Sequence, residues 1–337
     1  MSHLHKDSTR PIERVFYLSR TIVLLSSHRT DVLELPRKKP SLQGCLCYNP
    51  FAVVNHIQPV DIRPSPIAGT WYPGDAKSLA ISIDQLLNDA KPKDIQGQIV
   101  GLIAPHAGHR YSGGVAAQAF REIKGLEPEV VIVIAPLHRP AEEPVLTSDH
   151  QAYATPLGTI SIDQDLLVDF ELELYQKHAL KLGRLRNDRE HSLEIELPFI
   201  QRCIETSYSL LPIMLHEQSS RVGQAVGEVL GSLLQGRHCI IIGSSDLSHF
   251  YPQAVAERLD QTILDRLEHF DPEGVIQADE QGLGYACGRG AIAAALWTAR
   301  ALGADRIEVV KHATSGDVTG DFDSVVGYGS AVIYRQN

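Results

Sequence analysis

The chain has 337 residues, of which 43% are hydrophobic and 21% charged, a balance typical of a globular protein with a substantial core. The formal net charge of -10 and the lack of a Lys/Arg-rich run argue against nucleic-acid binding as the main role. No apolar run reaches the length of a transmembrane helix, and the N-terminus lacks the form of a secretory signal. We therefore expect a cytoplasmic protein that does not act at a membrane. Its five cysteines, irregularly spaced, do not suggest a disulfide framework.

The first sixty residues differ in composition from the rest of the chain. They contain RKKPSLQGCLCYNP and scattered Pro, Ser and His, with little periodicity. Residues 1–60 are therefore predicted to be a poorly ordered extension, and residues 61–337 to be the folded α/β domain.

Beyond residue 60, strand and helix patterns alternate. A Pro/Gly cluster precedes Asp75, the predicted N-cap of a first helix. Continuous apolar runs predict strands covered on both faces at 98–105, 130–136, 206–215 and 238–246. Further strands are predicted at 306–313 and 324–334. Helices are predicted at 115–125, 191–205, 224–236, 254–270 and 289–303. This alternation indicates an α/β fold with a central, mostly parallel (mixed) sheet flanked by helices.

Polar side chains with metal-binding or acid–base chemistry follow three of the predicted strands. His106 follows the first strand, His138 the second, and Asp246 and His249 follow the strand at 238–246. Cys287 precedes the helix at 289–303, where a helix N-terminus is expected to lower the pKa of a thiol. Ligands of open parallel sheets bind outside the carboxyl ends of the strands, so a metal or catalytic site is predicted there.

Each of these residues also has a structural interpretation. A histidine at a strand end is commonly a turn residue, a lone cysteine is commonly a small buried side chain, and Asp246 can cap the segment after it. The recurrence of such residues at one edge of one sheet is what favours a site.

Two further polar segments have uncertain roles. His191 and Glu194 are three residues apart in EHSLEIELP, so they are predicted to share one helical face, either as the wall of a site or as a surface salt-bridged turn. Spacing alone favours a surface position for both residues. The Gly-rich segment HATSGDVTGDFDS (312–324) lacks the pattern of a calcium loop and is predicted to form the wall of a pocket.

Taken together, six motifs in order resemble the Memo-like family, called AmmeMemoRadiSam system protein B in bacteria and archaea. They are RPSPIAGTWYPGD, IAPHAGHRYSGG, EHSLEIELPFIQ, SSDLSHF, CGRGAI and HATSGDVTGDFDSVVGYGSAVIY. The resemblance implies a fold like that of the B subunit of class III extradiol dioxygenases, which use non-haem iron(II).

The resemblance also implies a metal site. The family's ligand positions fall on His106, His138 and Cys287, with iron(II) or copper as the metal and zinc as a further option. The family's GPSH-like motif is APLHRP (135–140) here, so His138 has the weakest sequence support. The motif HAGHRYSG adds a further imidazole, His109, near the pocket.

Three other residues are implied to act in the same pocket. The SSDxxH motif places Asp246 and His249 beside the metal, where a histidine of the related dioxygenases acts as acid and base. His191 matches the EHS histidine that lines the pocket. These are the expected catalytic residues.

Two main functions remain open at this stage. One is a non-haem, metal-dependent oxidoreductase, dioxygenase-like in its pocket and acting with AMMECR-type and radical SAM partners on an unknown small molecule or peptide. The other is a non-catalytic module that binds a peptide or protein in a vestigial cleft. A zinc hydrolase is a third option. The fold alone does not imply ring cleavage, because a thiolate ligand replaces the carboxylate of the dioxygenases.

Overall fold

The computed structural model describes residues 61–93 and 95–336. The predicted N-terminal extension, 1–60, lies outside the described residues. Among the helices described, none is long and apolar enough to cross a bilayer. Cys203, Cys239 and Cys287, the cysteines of this part of the chain, carry free thiols.

Twelve β-strands are present in the described residues. In chain order, β1 to β12 are Ile62–Arg63, Gly97–Ala104, Val130–Pro136, Val145–Ser148, Ala152–Thr155, Gly158–Ser161, Leu182–Leu185, Ser209–Leu215, Cys239–Ser244, His249–Tyr251, Arg306–Thr314 and Val325–Gln336.

Nine of these strands form one mixed sheet, in which β10, β12, β2, β9, β3, β8, β4 and β7 follow one another and β11 pairs with β12. The central strands β2, β9, β3 and β8 are mutually parallel, whereas β12 runs antiparallel to β2, β10 and β11. A separate small sheet contains β1, β5 and β6. Every residue of β3 and β9 is buried, which indicates that the centre of the sheet is covered on both faces.

Helices flank the sheet, as predicted. In chain order, α1 to α9 are Ala76–Asp89, His109–Phe120, Gln164–His178, Leu197–Cys203, Ser220–Leu233, Gln253–Glu268, Pro272–Glu280, Arg289–Ala301 and Gly316–Thr319. The predicted cap of α1 is confirmed, because the Asp75 side chain accepts a hydrogen bond from the Ser78 backbone N–H. The predicted α/β class with a mixed sheet is confirmed.

Several helix predictions were incomplete. The second helix begins at His109, directly after the loop that carries His106, rather than in the Ala-rich segment further on. The predicted helix at 191–205 is α-helical only at Leu197–Cys203, because a turn and a short 3-10 helix at Glu194–Glu196 precede it. Helix α3 was missed because its apolar positions are interrupted by many charged residues.

A ridge of glycines on α5 allows α8 to approach closely. A Cβ atom added at Gly223 would lie 2.9 Å from the ring of Trp297, and one added at Gly227 would lie 2.4 Å from the Cβ of Trp297. At Gly231 the same atom would lie 2.4 Å from the Cβ of Ala301. These contacts leave no space for a methyl group, so the spacing of the two helices depends on the glycines.

The Gly227→Ala substitution should therefore lower the free energy of unfolding by about 1–3 kcal/mol, the usual cost of overpacking a core. The matched control is Gly114→Ala in α2, where an added Cβ meets no atom within 4 Å. That change should be neutral or stabilising by up to about 1 kcal/mol, because alanine favours a helix over glycine. Urea unfolding of both variants checks the prediction, and equal effects would contradict it.

Candidate metal and catalytic site

Three loops converge at the carboxyl edge of the central strands. The parallel register pairs Ala104 of β2 with Ser244 of β9, and Ile134 of β3 with Gly243 of β9. The strands therefore end side by side, and the residues that follow them lie close together. This alignment delivers His106 and His138 to one place.

His106, His138 and Cys287 form a compact cluster. One donor atom from each residue lies within 4.8 Å of the other two, and His106 Nε2 lies 3.1 Å from Cys287 Sγ. Cys287 is held from the other side, because its backbone N–H donates to the Asp246 carbonyl at 3.2 Å. The structure thus brings together the three residues that the sequence motifs single out, including His138 in its altered loop.

The ring orientation of His106 is set by Ser244. The His106 Nδ1 atom lies 3.0 Å from Ser244 Oγ, and that hydroxyl lies 2.7 Å from the Ser192 carbonyl and 2.8 Å from Glu196 Oε1. The hydroxyl has one hydrogen, which it donates to one of these oxygens, so it accepts from His106 Nδ1. Nε2 therefore carries the lone pair that faces Cys287.

His106 is also held in its neutral form. Burial, with the nearby His191 and His138 imidazoles, places the pKa of His106 well below its usual range. A neutral imidazole with a free Nε2 lone pair is the form that binds a metal ion.

Glu196 lies behind Ser244 and is fully buried. Burial raises the pKa of Glu196 well above its usual value, and its Oε2 atom has no hydrogen-bond partner among the residues that the structure describes. A protonated Glu196 can donate to Ser244 Oγ, and Ser244 is then free to donate to the Ser192 carbonyl. In that arrangement each of the three contacts of the hydroxyl is a good hydrogen bond.

Glu190 orients His138, and sequence reasoning missed it. Its carboxylate accepts from the His138 backbone N–H at 2.7 Å and lies 2.9 Å from His138 Nδ1. It also lies 3.2 Å from His191 Nδ1. Burial opposes ionisation, but the hydrogen bonds with His138 outweigh it and lower the pKa of Glu190. A carboxylate behind a metal-binding imidazole is a common way to fix its tautomer, and the signal in the sequence was the glutamate next to His191.

The ring of His191 completes one wall of the cluster. It stacks on the ring of Trp71, with 4.1 Å between centroids, and on His138, with 4.9 Å between centroids. Burial is the main reason that the pKa of His191 falls to about 4. His138, Glu190 and His191 also lie close enough to form a second potential donor group, which shares His138 with the first.

Asp246 holds the loop that carries His106. Its Oδ1 atom accepts from the backbone N–H groups of His106 at 2.8 Å and of Ala107 at 3.2 Å. Burial, partly offset by these two hydrogen bonds, raises the pKa of Asp246 to about 7. Asp246 lies beside the cluster, as the motif implied, and its observed contacts are positioning contacts.

His249 begins β10, at the entrance to the same region. Its Nδ1 atom lies 2.7 Å from the Leu247 carbonyl, which can only accept, so Nδ1 carries the hydrogen and Nε2 is free to accept a proton. Burial lowers the pKa of His249 below its usual value. Tyr285 packs against its ring, with centroids 5.5 Å apart.

Two predictions about individual groups were wrong. The thiol of Cys287 was expected to have a lowered pKa, but burial and then the charge of Asp246 raise it. Cys287 lies just before α8, and burial outweighs any lowering of the thiol pKa by the helix dipole. A surface location was favoured for Glu194, but this side chain is fully buried, with Arg63 Nη1 2.5 Å and Tyr72 Oη 2.8 Å from its carboxylate.

His109 faces away from the cluster and belongs to the core. Its Nε2 atom donates to the Ile195 carbonyl at 3.0 Å, and its ring packs between Tyr72 and Phe199. Burial lowers the pKa of His109 to about 4, so the ring is neutral at physiological pH. The extra imidazole of the HAGHRYSG motif therefore supports the segment containing Glu194 and Glu196.

An open cleft of about 480 Å³ lies beside the cluster. Its walls include Trp71, which stacks on His191, as well as Ala107 and Gly108, which follow His106. The predicted role of the 312–324 segment is confirmed, because Ser315, Thr319 and Asp321 line this cleft.

Comparison with known proteins agrees with these motifs. A family model described as "Memo-like protein" matches residues 63–332. A "MEMO1 family protein" of Methanothermobacter thermautotrophicus is 34% identical over 279 residues, covering 79% of this chain and 98% of the relative. One from Nitrosopumilus maritimus is 32% identical over 273 residues, with coverage of 80% and 98%.

The neutral state of Glu196 should make stability depend on pH. The unfolded chain loses this proton near pH 4.3, whereas the folded protein retains it to higher pH. Above the unfolded pKa, the free energy of unfolding should therefore fall by up to about 1.4 kcal/mol per pH unit on account of this group, until the folded pKa is reached.

Glu196→Gln has no such proton to lose, so its stability relative to the wild type should increase as the pH is raised from 5 to 8. Urea unfolding at several pH values measures this difference. Glu127→Gln, at an exposed carboxylate, is the control. Parallel stability profiles for Glu196→Gln and the wild type would contradict the prediction.

Proposed function

The chain belongs to the Memo-like family, and from this premise we propose that it is a metal-dependent redox protein that binds iron(II) or copper. The observation that carries the proposal is the cluster of His106, His138 and Cys287, whose donor atoms lie within 4.8 Å of one another. The proposal also includes a cytoplasmic location, where a free thiol ligand stays reduced.

The donor set suits a metal ion once the Cys287 thiol, whose Sγ lies 3.1 Å from His106 Nε2, gives up its proton and this contact to the ion. Both imidazoles have their Nδ1 atoms engaged, His106 with Ser244 and His138 with Glu190, so both Nε2 atoms are left to bind the ion. Two imidazoles and one thiolate leave coordination positions for a substrate or oxygen, and a redox-active ion there supplies one-electron chemistry.

The surrounding side chains suit the handling of protons. His249 presents a free Nε2 atom that can accept a proton, and Asp246, whose pKa burial raises to about 7, can hold or release one near neutral pH. In this proposal His249 is the general acid and base, His191 contacts the substrate, and Asp246 positions His106.

The thiolate affects the choice of metal. Sulfur ligands favour copper(I) and zinc over iron(II), whereas imidazoles suit all three ions. Zinc with an open position would support hydrolysis instead, and the metal content of the native protein separates these cases.

AMMECR-type and radical SAM proteins are the proposed partners, on the basis of the motif resemblance. Affinity purification of the chain from its native host, with mass spectrometry of the proteins retained, tests this part of the proposal. Recovery of neither partner class from cells that express both would contradict it.

A second candidate function is a binding module without catalysis. It is favoured by the exposed aromatic side chains at the cleft, Trp71, Tyr111 and Phe250, which are suited to contact a peptide or protein. If the substrate is bound but the metal ligands are dispensable in vivo, this function replaces the first.

Untagged protein loaded with iron(II) or copper(I) under anaerobic conditions should retain about one equivalent of metal, measured by elemental analysis after desalting. His106→Ala and Cys287→Ser should retain almost none, because each leaves two ligands. His269→Ala, at an exposed histidine, is the control and should bind as the wild type does. Equal metal contents in all variants would refute the proposed ligand set.

Ser244→Ala removes the acceptor of the His106 Nδ1 hydrogen and should weaken metal affinity by about 10–100-fold. The ligands themselves are unchanged, so the thiolate-to-cobalt charge-transfer band of the cobalt(II)-substituted protein should persist. Ser248→Ala is the control, because the Ser248 hydroxyl is buried and has no hydrogen-bond partner within 61–93 and 95–336. Equal affinities in the two variants would show that Ser244 does not position His106.

A further inference from the structure

We propose that the cleft beside the His106 cluster binds an aromatic group that carries a positive charge on an alkyl side chain, as in a protonated arylalkylamine. This inference rests on the proposed function in one respect, namely that the cleft is where the substrate of the metal site binds.

The walls of the cleft are rich in aromatic side chains. Trp71, Tyr111, Phe250 and Tyr328 all line it. Trp71 is fixed on one face by its stacking on His191. Tyr111 and Phe250 are 40% and 74% exposed, large fractions for side chains of this size. Such surfaces bind flat apolar groups, and their ring faces attract cations.

The charge of the lining favours a cation over an anion. Asp321 is the one charged side chain among the lining residues that the structure describes, and the others are apolar, aromatic or hydroxyl-bearing. One carboxylate oxygen of Asp321 accepts from the Asp323 backbone N–H at 3.0 Å. Arg110 is not among the lining residues; it borders a neighbouring cavity that shares Trp71 with the cleft, and its guanidinium lies 5.8 Å from the centre of the Tyr111 ring. A carboxylate ligand in the cleft would therefore meet Asp321, and none of the described side chains that line the cleft carries a positive charge.

The position of the cleft connects it to the metal site. Phe250 has a φ of 64°, in the left-handed region that bulky residues rarely adopt, and it directly follows His249. Ala107 and Gly108, on another wall, directly follow His106. The strained backbone holds an aromatic ring out toward solvent at the entrance, as expected of a ligand contact rather than of a core residue.

Three indole compounds of similar shape test the proposal: tryptamine, uncharged 3-methylindole and indole-3-acetate. Ligand-observed NMR titrations of the full-length protein, at constant ionic strength, measure their dissociation constants. We expect tryptamine to bind most tightly, 3-methylindole less tightly and indole-3-acetate most weakly. The dissociation constants of the amine and the acid should differ by about fivefold or more, because the amine places a cation near exposed aromatic rings and one carboxylate.

Two variants separate a local effect from the overall negative charge of the protein. Asp321→Asn should remove most of the preference for tryptamine and leave 3-methylindole binding unchanged. Asp323→Asn makes the same change in net charge two residues away and should retain the preference. Trp71→Ala should weaken the binding of all three ligands, and the comparison is made only if its thermal unfolding midpoint matches that of the wild type.

The proposal is overturned if indole-3-acetate binds as tightly as tryptamine, if no indole binds at millimolar concentration, or if Asp321→Asn and Asp323→Asn behave alike. Metal content measured on the same samples keeps the two proposals distinct. Loss of the amine preference with metal binding intact contradicts the cleft assignment alone. Absence of metal with the preference intact contradicts the redox function alone.

Discussion

Parallel pairing of β2 with β9 and of β9 with β3 is the constraint on which the site depends. It aligns the ends of the three strands, so that the loops after them occupy one small volume. The backbone of the sheet therefore sets the distance between His106 and His138 before any side-chain contact is made. The turn before α8 then places Cys287, from a distant part of the chain, next to His106.

Three buried glutamates in one short segment support this arrangement in different ways. Glu190 is ionised and orients His138, while Glu196 is kept neutral and contacts the Ser244 hydroxyl. Glu194 lies between them in sequence and binds Arg63, which is almost entirely buried. The same residue type thus serves as an anion, an acid and one half of an ion pair, because the partners of each carboxyl differ.

Much of the fold and the cluster could be predicted from the sequence. Long apolar runs reveal strands that are buried on both faces, and the polar residues directly after them mark the edge where a site forms. The partners of Glu194 and Glu190 could not be predicted, because Arg63 and His138 are 131 and 52 residues away in the chain. Local spacing favours a surface position for Glu194. Its burial instead depends on contact with Arg63, which lies in a distant segment that the local sequence pattern does not reveal. The pKa of Cys287 likewise depends on burial, and helix position alone predicted the wrong direction.

The raised pKa of the Cys287 thiol has a consequence for the chemistry of the metal-free protein. Oxidants and alkylating agents attack the thiolate, so the raised pKa of this half-buried thiol slows its reaction with them. A metal ion would bind the thiolate, so metal uptake would release the thiol proton to solvent. Acid would therefore compete with the ion for the same sulfur, and filling the site would exchange a proton for the ion, which adds one positive charge if the ion is divalent and none if it is copper(I).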